Sequence, residues 1–197
     1  MTVVPSEPKQ DGRRLRSAAS RRRIVEAMRD LIREGTLSPR AEEVAARANV
    51  GLRSVFRHFD DMESLYREIG DLIVADVTPM LELPPPSGTA DEILAEMIAR
   101  RTKLFERIMP FRVAADIHSH RSPYLMQERR IMNESLREIM RSALPAAIRK
   151  DRVAVDALDA VLSFDFWRRL RSEQRLSIAQ ARRVVEATAA PLIGAKR

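Results

Sequence analysis

Residues 41–59 read AEEVAARANVGLRSVFRHF, with two apolar stripes at helical spacing and a break of about one turn between them. Ala41, Val44, Ala45 and Ala48 form the first stripe, at i, i+3, i+4 and i+7. Leu52, Val55, Phe56 and Phe59 repeat that spacing, which assigns them to the inner side of a second helix. Between the stripes lies Asn49-Val50-Gly51. Asparagine is the non-glycine residue best suited to a left-handed helix stop, and Gly51 is acceptable as the next N-cap. Ala45 and Ala48 are small enough for two short helices to cross closely, and Val50 can fill the corner. The pattern predicts a helix-turn-helix.

With the apolar stripe facing inward, Arg53, Ser54, Arg57 and His58 share the outer face of the second helix. That face offers guanidinium forks, a hydroxyl and an imidazole, and no acid. A solvated surface helix normally mixes signs, whereas a face of donors alone suits phosphates and guanine edges. An ordinary helical hairpin is the competing reading of the same periodicity.

The longer run 23–69, RIVEAMRDLIREGTLSPRAEEVAARANVGLRSVFRHFDDMESLYREI, resembles the DNA-binding domain of the tetracycline-repressor (TetR) family of bacterial transcription regulators. Val44-Ala45, Ala48, Val50, the run Ser54-Val55-Phe56-Arg57-His58-Phe59, and Glu63 with Leu65 carry the resemblance, which covers about a quarter of the chain. It implies a three-helix reading head, a fourth helix joining head to body, and a body whose last two helices pair across a two-fold axis. Asn49 and Gly51 depart from the family's usual glycine and serine. Phe56 stands where a tyrosine commonly offers its hydroxyl to a phosphate, and Met62 where a lysine commonly sits. Arg40, Arg53 and Arg57 can compensate for those two contacts, and the place of Phe56 in the stripe suggests the core.

The 197 residues carry a formal net charge of +7 and a pI near 10.6, which favours an acidic partner such as nucleic acid or an anionic membrane. An aromatic share of 5% and only 6 glycines fit an all-α protein better than a β-sandwich or a dinucleotide-binding fold. With Cys at 0, disulfides and thiolate metal sites are excluded. No apolar run approaches the ~18 residues of a membrane span, and the N-terminus has no apolar signal region. A cytoplasmic protein is the expectation.

The boundaries read from the sequence are a disordered basic arm over 1–16, a helix-turn-helix domain over 17–73, and a helical dimerisation and ligand-sensing domain over 74–197. Arg13, Arg14, Arg16 and Arg21 to Arg23 form a basic run, either an arm that orders on DNA or a solvated tail. A first helix is expected from Ser17 to Glu34, ended by Gly35, with Ser38 as the next N-cap. Asp60-Asp61 with Glu63 reads as a capping box opening a helix that ends before Pro79. Thr89 to Glu92 reads as another, opening a helix to Met109 that Pro110 breaks before a short helix over Phe111 to His118. Two further helices follow, the first from Ser122-Pro123 to Leu144 and the next from Val153 to Arg171. The last runs from Ser177 to Ile193.

Neither a phosphate-cradling glycine loop nor a catalytic triad can be argued. His118 and His120 are two apart and diverge on a helix, so no metal or cofactor is expected, and the chain does not read as an enzyme. Met97, Met109 and Met132, with Phe105 and Leu136, suit the walls of an adaptable apolar site, although ordinary core packing explains each singly. Arg101, Arg112 and Asp116 are the polar groups placed to orient a small, largely apolar effector there. The last two helices are apolar on more than one side, which calls for a second packing partner. Phe164, Trp167, Ala181, Val185 and Leu192 are the expected homodimer contacts, with a fully buried central helix as the alternative. Together these features predict a dimeric, ligand-responsive repressor that binds a pseudo-palindromic operator in double-stranded DNA through Arg40, Arg53, Ser54, Arg57 and His58. A helical scaffold or nucleoid-associated adaptor is the competing class.

Overall fold

The computed structural model describes residues 9–119 and 122–194, and the described residues are helices joined by short loops, without a strand. They fall into two compact units. The first comprises Met1–Leu72 with Pro110–Ser122, and the second comprises Ile73–Met109 with Pro123–Arg197.

The first unit holds α1 (Lys9–Arg33), α2 (Ala41–Arg47), α3 (Leu52–His58) and the N-terminal part of α4 (Met62–Leu81). Helix α1 begins eight residues before the expected Ser17, so the half of the basic arm inside the described residues is helical. Residues 1–8 of that arm lie outside them. Ile24, Met28 and Ile32 on α1 are buried, as are Val44 on α2, Val55 on α3 and Leu65 on α4. Gly35 ends α1 with a φ of 101°, a conformation that glycine reaches without a Cβ penalty. Between α1 and α2, Arg40 rather than Ser38 is the N-cap, and its backbone N–H donates to the Glu43 carboxylate at 2.7 Å.

Entry into α4 uses Asp61 as expected, and the reciprocal partner is Ser64 instead of Glu63. The Ser64 amide donates to Asp61 Oδ1 at 2.7 Å. Glu63 turns to Arg67, 3.2 Å away, and accepts from Ser122 Oγ at 2.8 Å.

Two prolines expected to end helices do not. Helix α4 continues through Pro79, and α5 (Ala90–Ser119) continues through Pro110. An internal proline removes one backbone hydrogen bond and costs about 3 kcal/mol, a loss that packing on both sides of Pro110 outweighs. The C-terminal end of α5, with buried Phe111 and Ala114, therefore belongs to the first unit.

The second unit is built on the rest of α4 and α5, then α6 (Pro123–Ala143), α7 (Ala146–Lys150), α8 (Arg152–Val161), α9 (Phe164–Arg168), a π-turn over Arg169–Glu173, and α10 (Ile178–Gly194). The helix expected from Val153 to Arg171 is broken at Leu162-Ser163, where Ser163 Oγ caps α9 by accepting from the Phe166 amide at 3.1 Å. One hydrophobic core gathers side chains from every helix of this unit, among them Ile98, Phe105, Met140, Leu158, Trp167 and Val185. Phe105 and Phe164 meet edge-on at 5.6 Å. Among the described residues no helix is long and apolar enough to cross a membrane, and no group of three metal-ligating side chains converges.

Candidate functional site

The turn between α2 and α3 closes with two backbone bonds. The Val50 amide donates to Ala45 O at 3.0 Å and the Asn49 amide to Ala46 O at 3.2 Å, a Schellman arrangement in which Asn49 takes the left-handed position at φ 52°. Gly51 then adopts an extended φ of −71° and ψ of 147° as the N-cap of α3, and Ser54 N donates to its carbonyl at 2.7 Å. This turn fixes which side of α3 faces out.

That side differs in part from the sequence expectation. Val55 and Phe59 are buried, but Leu52 is 38% exposed and Phe56 49% exposed. Phe56 is therefore not core. A seven-residue helix has room for only one narrow inner edge, and Val55 with the following Phe59 fills it. Leu52, Arg53, Phe56 and Arg57 form one exposed strip, two guanidinia beside two apolar side chains. Arg57 donates to Ser54 Oγ at 2.6 Å, which holds its fork along the helix surface. No acid lies on α3, and Arg40 is exposed at the start of α2.

His58, expected on a phosphate, is turned inward. Its Nε2 is buried without a hydrogen-bond partner. Burial, reinforced by the neighbouring Arg57 and Arg21 guanidinia, holds its pKa below the ordinary imidazole range, so it is neutral near pH 7 and offers no cation.

Arg21, which the sequence places only in a basic run, is held within the fold. It donates to the His58 carbonyl at 2.6 Å, ion-pairs with Glu68, and lies 4.3 Å above the Phe59 ring. It thereby anchors the C-terminal end of α3 to α1 and α4. In the sequence it is one arginine of a basic run, and its partner lies 47 positions away. The C-terminal end of α5 closes the same unit: His118 Nε2 is 3.2 Å from Ser38 Oγ, and its ring is 4.7 Å from that of Tyr66.

In the second unit a cavity of about 230 Å³ is lined mainly by apolar side chains from α4, α5 and α6. Of the expected effector residues, Met97, Arg101 and Leu136 line it. Phe105 is buried beside it and lines a void of about 10 Å³ that Arg101 also borders. Met109 and Met132 pack against the core instead. Arg112 and Asp116 fall in the segment 110–122, which folds with the first unit because α5 does not break at Pro110, so they are not part of this cavity.

The expected dimer contacts also need correction. Phe164, Trp167, Ala181 and Val185 are all buried within their own chain. Trp167 Nε1 donates to Glu106 at 2.9 Å, and Arg171 Nε donates to the same carboxylate oxygen at 2.8 Å. Only Leu192 keeps partial exposure. The four buried side chains belong to the core of a single chain, while Val153 on α8 and Ile178 on α10 stay exposed.

No family model matches the sequence, and no curated protein matches it. Among solved structures, the chain is similar to a protein from Mesorhizobium loti assigned to the TetR family of transcriptional regulators. The two share 19% identity and a TM-score of 0.53, over 90% of this chain and 96% of that one. The likeness is one of fold: the described residues of this chain are all-α, as that structure is.

Proposed function

We propose that the chain is a DNA-binding transcription regulator, a ligand-responsive repressor that acts as a homodimer. The exposed strip of α3 carries this reading: it is free of acids, displays Arg53 and Arg57 side by side, and is anchored from behind by Arg21. Laid in a major groove, Arg53 and Arg57 reach base edges and phosphates, and Arg40 and Ser54 reach flanking phosphates. Leu52 and Phe56 suit thymine methyls or sugar edges, so Phe56 takes an apolar role in place of a phosphate contact.

The face for a second copy is the outer side of α8 and α10, where Ala160, Ala187, Ala190 and Pro191 are exposed and small enough for helices to approach closely. A two-fold dimer of such heads reads a pseudo-palindrome. Regulation requires a ligand in the second-unit cavity with different affinities for the DNA-competent and incompetent states, and DNA must then weaken the ligand by the same factor. Selection of fragments bound from the protein's own genome tests the reading. It should yield one enriched motif with two-fold symmetry, and a fragment pool with no enriched motif would leave a non-selective DNA binder or an adaptor.

A further inference from the structure

The cavity of the second unit is apolar in surface but not in charge. Met80, Met97, Leu104 and Met140 supply hydrocarbon walls, while Glu96, Arg100, Arg101 and Lys103 bring three cations and one anion, all from α5. The single anion is already matched, because Glu96 accepts from Arg100 Nε at 2.7 Å. Arg100 also donates to Pro84 O at 2.6 Å, so its fork is committed to the loop at the cavity edge. Two positive charges remain, Arg101 within the wall and Lys103, which is exposed.

Arg101 is the unusual one. It is only 7% exposed, and its hydrogen bonds run to neutral carbonyls, Leu162 O and Leu136 O, the latter at 2.6 Å. Among the described residues it has no ion-pair partner. The acid that acts on it from a distance, Asp159, is already bound to Arg137 at 2.8 Å. Burial pushes the Arg101 pKa down to about 10, which still leaves it cationic at neutral pH. Asp159 offsets part of this buried charge from a distance, but no anion touches Arg101 directly, so a carboxylate entering the cavity would be its first contact partner of opposite sign. Two of the five guanidinium N–H groups are spent on these carbonyls, and those that remain can donate charge-assisted hydrogen bonds to a carboxylate.

We infer that this cavity binds a small amphiphilic carboxylic acid, its carboxylate met by Arg101 with Lys103 at the rim, and its hydrocarbon part laid against Met80, Met97, Leu104 and Met140. The inference rests on the reading of this cavity as the regulatory ligand site, and it gives that ligand a charge. The volume sets the scale of the part that can be enclosed. An apolar cavity of roughly 150 Å³ holds benzene, so 230 Å³ accommodates on the order of ten heavy atoms.

Octanoate, 1-octanol and octylamine share one hydrocarbon chain and differ in head group, so calorimetric titration of each into the full chain at pH 7 is the test. Octanoate should bind at least roughly tenfold more tightly than octanol, and octylamine should not bind. Arg101→Met should erase the preference for octanoate. Because Arg101 also ties two carbonyls, a variant at the exposed Lys103 guards against loss of fold: Lys103→Met should weaken octanoate and leave octanol unchanged. Equal affinities for octanoate and octanol, binding of octylamine, or no octanoate binding at millimolar concentration would overturn the inference. The regulatory reading fails separately: octanoate bound with the expected preference, but without effect on DNA affinity, would keep the site and remove the regulation.

Discussion

Arginine does opposite work in the two units. On α3, Arg53 and Arg57 stand in solvent on a helix without acids, so their charge is available to a polyanion. In α5, Arg101 is enclosed among apolar side chains and bonded to backbone carbonyls, so its charge is available only to something small enough to enter. Exposure, rather than residue type, separates the open strip on α3 from the group walled into α5. The same contrast governs the apolar residues: Phe56 is exposed on a charged strip, while Val185 and Trp167, on helices that look over-supplied with apolar surface, are sealed inside.

The largest effect is expected where that contrast is inverted. Val185→Glu places a carboxylate in the second-unit core, at a side chain 4% exposed, and should cost more than about 3 kcal/mol, enough to abolish cooperative urea unfolding. A well-folded Val185→Glu protein would mean that this face of α10 is open. Ala190→Glu, on the exposed side of the same helix, should leave stability within about 0.5 kcal/mol and yield monomers in sedimentation. If Ala190→Glu remains dimeric, the pairing surface lies elsewhere.

Arg21→Ala probes the support behind the reading helix. Its ion pair with Glu68 is partly exposed and therefore weak, but the Phe59 contact and the bond to His58 O go with it, so a loss of about 1 kcal/mol is expected. DNA affinity should fall although Arg21 is set behind α3. Unchanged unfolding together with unchanged DNA binding would show that the anchor is idle.

The smallest effect is a pH dependence. Burial lowers the pKa values of His58 and His118, so the unfolded chain takes up protons before the folded one. Their neutral forms favour the fold above the unfolded value of roughly 6.5, and that contribution is lost as pH falls through the folded pKa values. The urea midpoint should therefore drop between pH 7.5 and pH 5 by more in the wild type than in a His58→Gln, His118→Gln double variant. Equal drops would assign the acid sensitivity to other groups.

Most local signals were legible in the sequence, although Arg40 and Ser64 take the capping places expected for Ser38 and Glu63, and long-range ones were not. Asn49, Gly51 and the Thr89–Glu92 box act within four residues, and each is found as the sequence indicates. Pro79 and Pro110 misled because a local rule was outweighed by packing along the whole helix. The sides of short α3 were half legible, since periodicity ranks positions without saying how many the core can take. Arg21 with Glu68, Arg101 with Leu162, and Glu106 with Trp167 join residues 47 to 61 positions apart, and no spacing rule reaches across such gaps. Of the candidate sites, the DNA face was therefore more legible than the cavity, whose walls depend on where α5 continues.

If α3 reads DNA through its exposed arginines, removing both must weaken binding in a way that depends on salt. The decisive experiment titrates the wild type and the Arg53→Ala, Arg57→Ala double variant against a genomically selected fragment, across a series of salt concentrations. An arginine that holds a base edge with both arms of its fork should cost about 1–3 kcal/mol when truncated. An arginine that holds a phosphate should, when truncated, reduce the salt slope by about one. A folded double variant with wild-type affinity and wild-type salt slope would rule out α3 as the reader.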